Sequence, residues 1–273
     1  MSGAATDSSE QHGAARTPRA TYRLQLGAAL TLRDAAALVP YLDELGISDL
    51  YLFPILRARP GSEHGYDVVD HREVNPELGT LDDLRRLGLA LRARGMGLIL
   101  DVVPNHMSIA ASHNARWNDV LENGPASASA RWFDIDWRPP KRELRGKVLY
   151  PILGAPFGRV LEGGELRVAF DPVDGSFAVH YYDHRLPLAP RSLPHVLRPT
   201  LERLRAARSE DDPAVQELES ILFALSCLPP RHEPDAQRRR LRQREAQVIK
   251  RRLRQLFLGG PAALATALGD ALR

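Results

Sequence analysis

The chain of 273 residues has a formal net charge of +3, is 44% hydrophobic and 26% charged, and contains one cysteine, Cys227. These values are ordinary for a soluble globular protein; they exclude an internal disulfide and give no charge-based argument for nucleic-acid binding. Residues 1–18 are small and polar and no run reaches the ~20 apolar residues of a membrane span, so we expect a disordered tail, no membrane partner and a cytoplasmic protein.

The first part of the chain alternates predicted strands and helices. Apolar, β-prone runs predict strands over 21–26, 49–56 and 97–103, and helical spacing predicts helices over 31–46 and 80–95. Short returns in this β-α-β-α-β order favour parallel strands joined by right-handed crossovers. The sequence therefore predicts an α/β fold.

Residues at the ends of the helices support these assignments. Thr31 is placed to cap the first helix, and Thr80 with Asp83 resembles a capping box at the start of the second. Pro40 lies inside the first helix, where it should kink or divide it.

Polar side chains follow the third predicted strand, in the stretch GLILDVVPNHM at 97–107. Asp101, Asn105 and His106 come where the apolar run stops. Asp and Asn beside proline are common in turns, which is the plain alternative. In parallel α/β folds, however, ligands bind at the carboxyl ends of the strands. We therefore expect these side chains to line a pocket.

The loop predicted after the second strand, 57–71, belongs to the same edge of the sheet. It carries His64, Tyr66 and Asp67. A tyrosine ring can stack on the apolar face of a pyranose while polar groups bind the sugar hydroxyls. The two segments together favour a carbohydrate ligand.

Other chemistries lack their signatures. Four of the nine histidines, His64, His71, His106 and His113, could be combined into a metal site, but they do not have the spacing of a zinc site. The sequence also contains no phosphate-binding glycine loop and no GxSxG motif. The apolar surroundings of Cys227 indicate burial rather than reactivity. We predict no cofactor.

The rest of the chain changes character twice. Residues 19–106 are predicted to form the α/β part, 107–197 a small inserted β-rich subdomain with strand-like pieces at 147–153, 166–170 and 177–182, and 198–273 an Arg-rich helical insertion. Nucleic-acid binding by the basic tail is an alternative. The tail also carries an apolar stripe at helical spacing, which favours a packed helix whose other face is solvated. The stripe consists of Leu241, Val248, Ile249, Leu253 and Leu256.

Several motifs resemble a known family. DVVPNH at 101–106 resembles the first signature of the α-amylase superfamily, glycoside hydrolase family 13, and the segment 41–79 resembles, within it, the maltooligosyl trehalose synthase family. Shorter matches, in the same order, are DVLENG, WFDIDW, KVLYPILG, YYDHRLPLAP and LPPR…VIKRRL. The resemblance implies a (β/α)8 TIM barrel and a maltooligosaccharide substrate.

The implied reaction is a retaining intramolecular transglycosylation that turns the reducing-end α-1,4 bond into an α,α-1,1 bond. By resemblance, His106 would hydrogen-bond the sugar, Tyr66 would be its stacking platform, and Asp101 would be a supporting carboxylate. His64 and Asp67 would shape the subsite. Asn105 corresponds to a calcium ligand of many superfamily members, and nothing in the sequence requires calcium.

The family's two catalytic carboxyl groups are missing from the sequence. Retaining chemistry needs a pair about 5 Å apart, and the family motifs after strands four and five are not found. A complete barrel needs ~250 residues in strands and helices, whereas only about three strands are predicted here. We expect an incomplete barrel, no catalytic residue within the chain, and an inactive N-terminal fragment whose partner is the missing C-terminal part. A non-catalytic sugar-binding module, or one half of a split enzyme, is the alternative.

Overall fold

The structure is a computed structural model that describes residues 17–110 and 113–272. The chain divides into two compact units between Ser108 and Ile109. The predicted division after His106 lies close to this point. Most of the predicted tail, residues 1–16, falls outside the described residues.

The described residues of unit 1 form five strands and two helices. They are β1 Thr21–Leu24, α1 Leu32–Glu44, β2 Asp49–Leu52, β3 Leu56–Ala58, β4 Val68–Val74, α2 Leu81–Arg92 and β5 Gly97–Leu100. Strands β1, β2 and β5 form a parallel sheet in that order. The predicted parallel β-α-β-α-β arrangement is confirmed, although each strand ends earlier than predicted.

Local sequence explains where the two helices begin. Thr31 and Asp34 form a capping box at α1, and Thr80 and Asp83 form another at α2, so backbone N–H groups that lack helical partners are bonded. Pro40 does not divide α1, which runs through it. The helix is held by its buried face, so the lost hydrogen bond of the proline is tolerated.

The two faces of the parallel sheet differ in character. Leu24, Leu50 and Leu52 are buried in a core that includes residues of both helices, among them Leu42 and Leu87. Side chains alternate along a strand, so the neighbouring positions lie on the opposite face. That second face carries the polar and aromatic side chains described below.

The segment predicted as a loop at 57–71 is in part an antiparallel hairpin. Strand β3 pairs with β4, with irregular register at Arg57. The prediction of a loop was wrong here because DVVDHREV carries β-branched residues that pair with the short segment after β2. Residues 59–67, between these strands, remain without regular structure.

Over residues 109–110 and 113–272, unit 2 forms three strands and six helices longer than one 3-10 turn. They are α3 Ala115–Asn123, α4 Phe157–Glu162, β6 Arg167–Asp171, β7 Ser176–Tyr181, β8 His184–Pro187, α5 Pro194–Ala207, α6 Pro213–Cys227, α7 Ala236–Gly259 and α8 Ala262–Ala271. The strands form an antiparallel sheet in the order β6-β7-β8. Helices α5 to α8 share a core with Phe177 of the sheet.

Two predictions in unit 2 were wrong. The piece 147–153 is not a strand; Val148 instead packs beside Trp117, and the Tyr150 hydroxyl donates to the carbonyl of Ile109 at 2.9 Å. Cys227 is exposed rather than buried, because it ends α6 on the side away from that helix's buried residues. The strand-like pieces 166–170 and 177–182 do form β6 and β7.

The Arg-rich segment packs by one face, as its apolar stripe predicts. Ile249, Leu253 and Leu256 of α7 are buried, whereas Leu241 lies 41% exposed. The described residues include no helix with the length and apolar character needed to span a membrane.

Candidate functional site: a tyrosine–carboxylate cluster at the strand ends

The centre of the candidate site is Asp101, the residue that follows β5. Its Oδ2 accepts hydrogen bonds from two hydroxyls, that of Tyr66 at 2.7 Å and that of Tyr51 at 2.8 Å. Tyr51 lies in β2, and Tyr66 lies between β3 and β4. Three separate segments therefore meet at one carboxylate oxygen at the carboxyl edge of the parallel sheet.

These hydrogen bonds set the protonation of the cluster. The hydroxyls of Tyr66 and Tyr51 hold the pKa of Asp101 below its ordinary value, because they stabilise the charged carboxylate. The same bonds raise the pKa of both tyrosines. Asp101 is therefore ionised at neutral pH and acts as an acceptor, which suits a positioning role and not that of a general acid.

The ring of Tyr66 is held on more than one side. The Phe53 ring meets it edge to face at 5.8 Å between centroids, and the His64 ring lies nearly parallel to it at 5.9 Å. The Arg23 guanidinium lies 3.7 Å from the centroid of Phe53 and adds positive charge near Asp101. A ring fixed in this way loses little conformational entropy when it contacts a ligand.

His106 lies against Tyr66 and is exposed. Its Nε2 is 3.1 Å from the backbone carbonyl of Tyr66. Its Nδ1 lies 3.2 Å from the side-chain oxygen Oδ1 of Asn105. The predicted sugar-binding pair, Tyr66 and His106, is thus brought together, while Asn105 serves as a partner of the imidazole.

The other predicted residues take local positions. His64 Nδ1 accepts from the backbone N–H of Tyr66 at 3.0 Å, which orients the loop. Asp67 does not join the cluster around Asp101; its carboxylate accepts from the Ser62 hydroxyl and lies 3.5 Å from Arg59. Asp67 therefore acts within its own loop in this structure.

Tyr51 and Arg23 were not identified from the sequence, whereas Phe53 was noted there only as a departure from the family pattern that flanks the site. The register pairs Arg23 with Tyr51 and Tyr51 with Ile99, two residues before Asp101. Because side chains alternate along strands, all of these share the face opposite the buried leucines. That alternation, read outward from Asp101, was the signal that could have found them.

No metal centre is supported. Within residues 17–110 and 113–272, no three or more His, Cys, Asp or Glu side chains are grouped to hold a metal ion.

Comparison with known proteins shows a similarity over part of the chain. Residues 31–159 match the family model described as alpha amylase, catalytic domain. The predicted resemblance is confirmed: over these residues the chain is similar to the catalytic domain of alpha amylases.

Among individual proteins, the chain is similar to maltooligosyl trehalose synthases and, over a shorter stretch, to a neopullulanase. A Mycobacterium tuberculosis protein named as such is 46% identical over 179 residues, which are 63% of this chain and 21% of that protein. The structure of maltooligosyltrehalose synthase from Arthrobacter ramosus is 44% identical, with a TM-score of 0.55 over 63% of this chain and 21% of the other. Neopullulanase 2 of Thermoactinomyces vulgaris is 39% identical over 107 residues, 39% of this chain and 17% of that protein. The chain spans about a fifth of the length of the relatives it matches.

Proposed function

We propose that this chain supplies a maltooligosaccharide-binding wall of a retaining intramolecular transglycosylase of the trehalose-forming kind. In the reaction, the reducing-end α-1,4 bond of the oligosaccharide becomes an α,α-1,1 bond. The observation that carries the proposal is the Tyr66–Asp101–Tyr51 cluster at the strand ends, with His106 beside it. The similarity to enzymes named maltooligosyl trehalose synthase supports the choice of substrate.

The cluster is suited to binding a sugar. Tyr66 offers an oriented ring on which the apolar face of a glucose unit can stack. The imidazole of His106 lies beside it and can bond a sugar hydroxyl, while the carboxylate of Asp101 holds the Tyr66 hydroxyl in place. His64 is proposed to shape the subsite by orienting the loop, and Asp67 to hold that loop's shape through Ser62 and Arg59.

The chain by itself is proposed to lack turnover. Asp101 is proposed to be a positioning residue, because both tyrosine hydroxyls bond one of its oxygens and fix its orientation. Retaining chemistry needs a nucleophile and an acid/base about 5 Å apart. We propose that these two groups come from a complementary C-terminal part. In this proposal the chain is one part of a barrel, to which it contributes the three parallel strands β1, β2 and β5. We further propose that the protein is cytoplasmic and that nucleic acid is not a partner.

The experiment is a ligand-observed NMR titration of maltopentaose against the full chain. We expect saturable binding that weakens at least tenfold in Tyr66→Ala, because the stacking ring is lost. Tyr66→Phe keeps the ring but removes its hydroxyl from Asp101 and should weaken binding less. Tyr41→Ala is the matched control, since Tyr41 is 58% exposed on α1 and belongs to no part of the cluster.

The outcomes separate the possibilities. Equal affinity of Tyr66→Ala and the wild type would remove Tyr66 from the binding wall. Loss of binding in Tyr41→Ala as well would show that the effect is not specific to the cluster. No binding by the wild type would contradict the proposed function.

A further inference from the structure

The turn between β7 and β8 in unit 2 holds an unusual tyrosine. Tyr182 has φ +47°, the only positive φ of a non-glycine residue among residues 17–110 and 113–272. It is the first of two turn residues between Tyr181 and His184, a position that favours glycine when φ is positive. A bulky side chain there is strained, and such strain persists where the surroundings impose it.

Every other positive φ among the described residues belongs to a glycine. In the same described ranges, nine glycines have positive φ. The neighbouring turn Asp171–Ser176 shows this, with Gly175 at φ +71°. Since glycine would remove the strain at position 182, the retained tyrosine points to a role of its ring.

Neighbouring groups fix the orientation of this ring. The Tyr182 hydroxyl donates to Glu165 Oε2 at 3.0 Å, and the ring meets that of Tyr181 edge to face at 4.8 Å between centroids. Tyr181 is itself buried, and its hydroxyl accepts from the backbone N–H of Gly154 at 2.8 Å. Tyr182 is nevertheless 76% exposed, so an oriented aromatic face points to solvent.

We propose that Tyr182 is a carbohydrate-stacking platform in unit 2, separate from the Tyr66 cluster, and that its ligand is an α-1,4-linked glucose chain. The choice of α-1,4-glucan rests on the proposed function; the platform itself rests on Tyr182, Tyr181 and Glu165. A pyranose presents an apolar C–H face that packs on an aromatic ring. The oriented ring meets this requirement without reorganisation.

The charges beside the ring favour a neutral, hydroxyl-rich ligand. Glu165 contacts the ring's hydroxyl, and the exposed Asp183 follows it in the turn. Carboxylates accept hydrogen bonds from sugar hydroxyls, whereas they repel phosphates of nucleotides or anionic lipids. A neutral oligosaccharide therefore suits this platform better than an anionic ligand.

The test uses maltoheptaose and the full chain, with Tyr66→Ala as the background so that the first cluster does not contribute. Saturation-transfer NMR titrations compare this background with Tyr66→Ala/Tyr182→Gly and Tyr66→Ala/Tyr182→Phe. Glycine relieves the strain and removes the ring, so we expect at least a tenfold loss of affinity and no decrease in melting temperature. Phenylalanine keeps the ring and should retain affinity within about threefold. Tyr41→Ala in the same background is the control.

Each result decides the proposal. The platform is supported if the Tyr66→Ala background still binds maltoheptaose and Tyr182→Gly abolishes that binding. If Tyr66→Ala alone leaves affinity unchanged, that result contradicts only the proposed binding wall. Binding that Tyr182→Gly leaves unchanged overturns the platform. Absence of binding by the Tyr66→Ala background overturns it too, while leaving the Tyr66 wall in place if the wild type binds.

Discussion

The buried ion pair of unit 2 gives the sharpest stability prediction. Lys250 Nζ of α7 lies 2.7 Å from Glu122 Oε2 of α3, and the two side chains are only 14% and 8% exposed. Burial raises the pKa of Glu122 despite the attraction of Lys250. Lys250→Met would leave a buried carboxylate without its cation. Breaking a buried pair from one side costs about 3–5 kcal/mol.

We expect about 3 kcal/mol, the lower end of that range, because the charge of Arg242 also attracts Glu122. For a domain of this size, that loss corresponds to a decrease of roughly 6–12 °C in melting temperature. The three tryptophans, Trp117, Trp132 and Trp137, all lie in unit 2. Tryptophan fluorescence during urea unfolding therefore reports this unit alone.

The pH dependence has a definite sign. Without Lys250, the folded-state pKa of Glu122 rises further above its unfolded value, so the folded state binds the proton more tightly. The stability of Lys250→Met is then highest below the ordinary pKa of a glutamate and falls as pH rises through the raised folded pKa. The cost relative to wild type should grow with pH across that interval.

Two further variants complete the test. Adding Glu122→Gln to Lys250→Met removes the orphaned charge and should recover most of the loss. Arg205→Met is the exposed control, since Arg205 and Glu219 pair with side chains 47% and 39% exposed, and it should cost less than about 1 kcal/mol. A cost for Lys250→Met below about 1 kcal/mol, or one independent of pH, would refute the reasoning.

Three predictions concern unit 1. Gly65→Ala should weaken maltopentaose binding in NMR titrations, because a Cβ there would lie 2.6 Å from the carbonyl of Pro54 at φ +73° and would displace Tyr66; unchanged affinity would contradict this. Leu42 is a core position only 1% exposed, so Leu42→Ala should lower the free energy of unfolding of unit 1 by about 2–5 kcal/mol, as measured by circular dichroism during urea unfolding. The unfolding transition seen by tryptophan fluorescence should stay in place, because all three tryptophans lie in unit 2. The pKa of Asp101 is lowered in the folded state, so its charge stabilises unit 1 above the ordinary pKa of an aspartate, and this stability is lost as pH falls through the folded-state pKa. Asp101→Asn should therefore make the stability of unit 1 depend less on pH in the acid range. An unchanged acid dependence would refute this.

The sequence predicted the parts of the fold that depend on local signals. The helix caps at Thr31 and Thr80 and the apolar strands 49–52 and 97–100 are readable from neighbouring residues alone, and the structure contains them. The hairpin of β3 and β4 was missed because its partners are separated by an irregular loop, and pairing across a loop leaves no periodic pattern.

The candidate site was predicted in part for the same reason. Tyr66 and His106 stand in motifs and were identified. Tyr51 sits in an apolar strand, where its role appears only when the register places it beside Asp101. The strained Tyr182 could not be recognised, since a positive φ is signalled by glycine in the sequence and a tyrosine gives no such signal.

We propose that this chain forms a binding wall without a complete catalytic centre. Proton NMR of maltopentaose incubated with the purified full chain tests this most directly. The proposal predicts that reducing-end anomeric signals persist and that no α,α-1,1 signal grows, while the same sample shows saturable binding. Growth of the α,α-1,1 signal, abolished by Asp101→Asn and absent from a mock purification, would show that carboxylates within these residues perform the chemistry. It would contradict the positioning role assigned to Asp101.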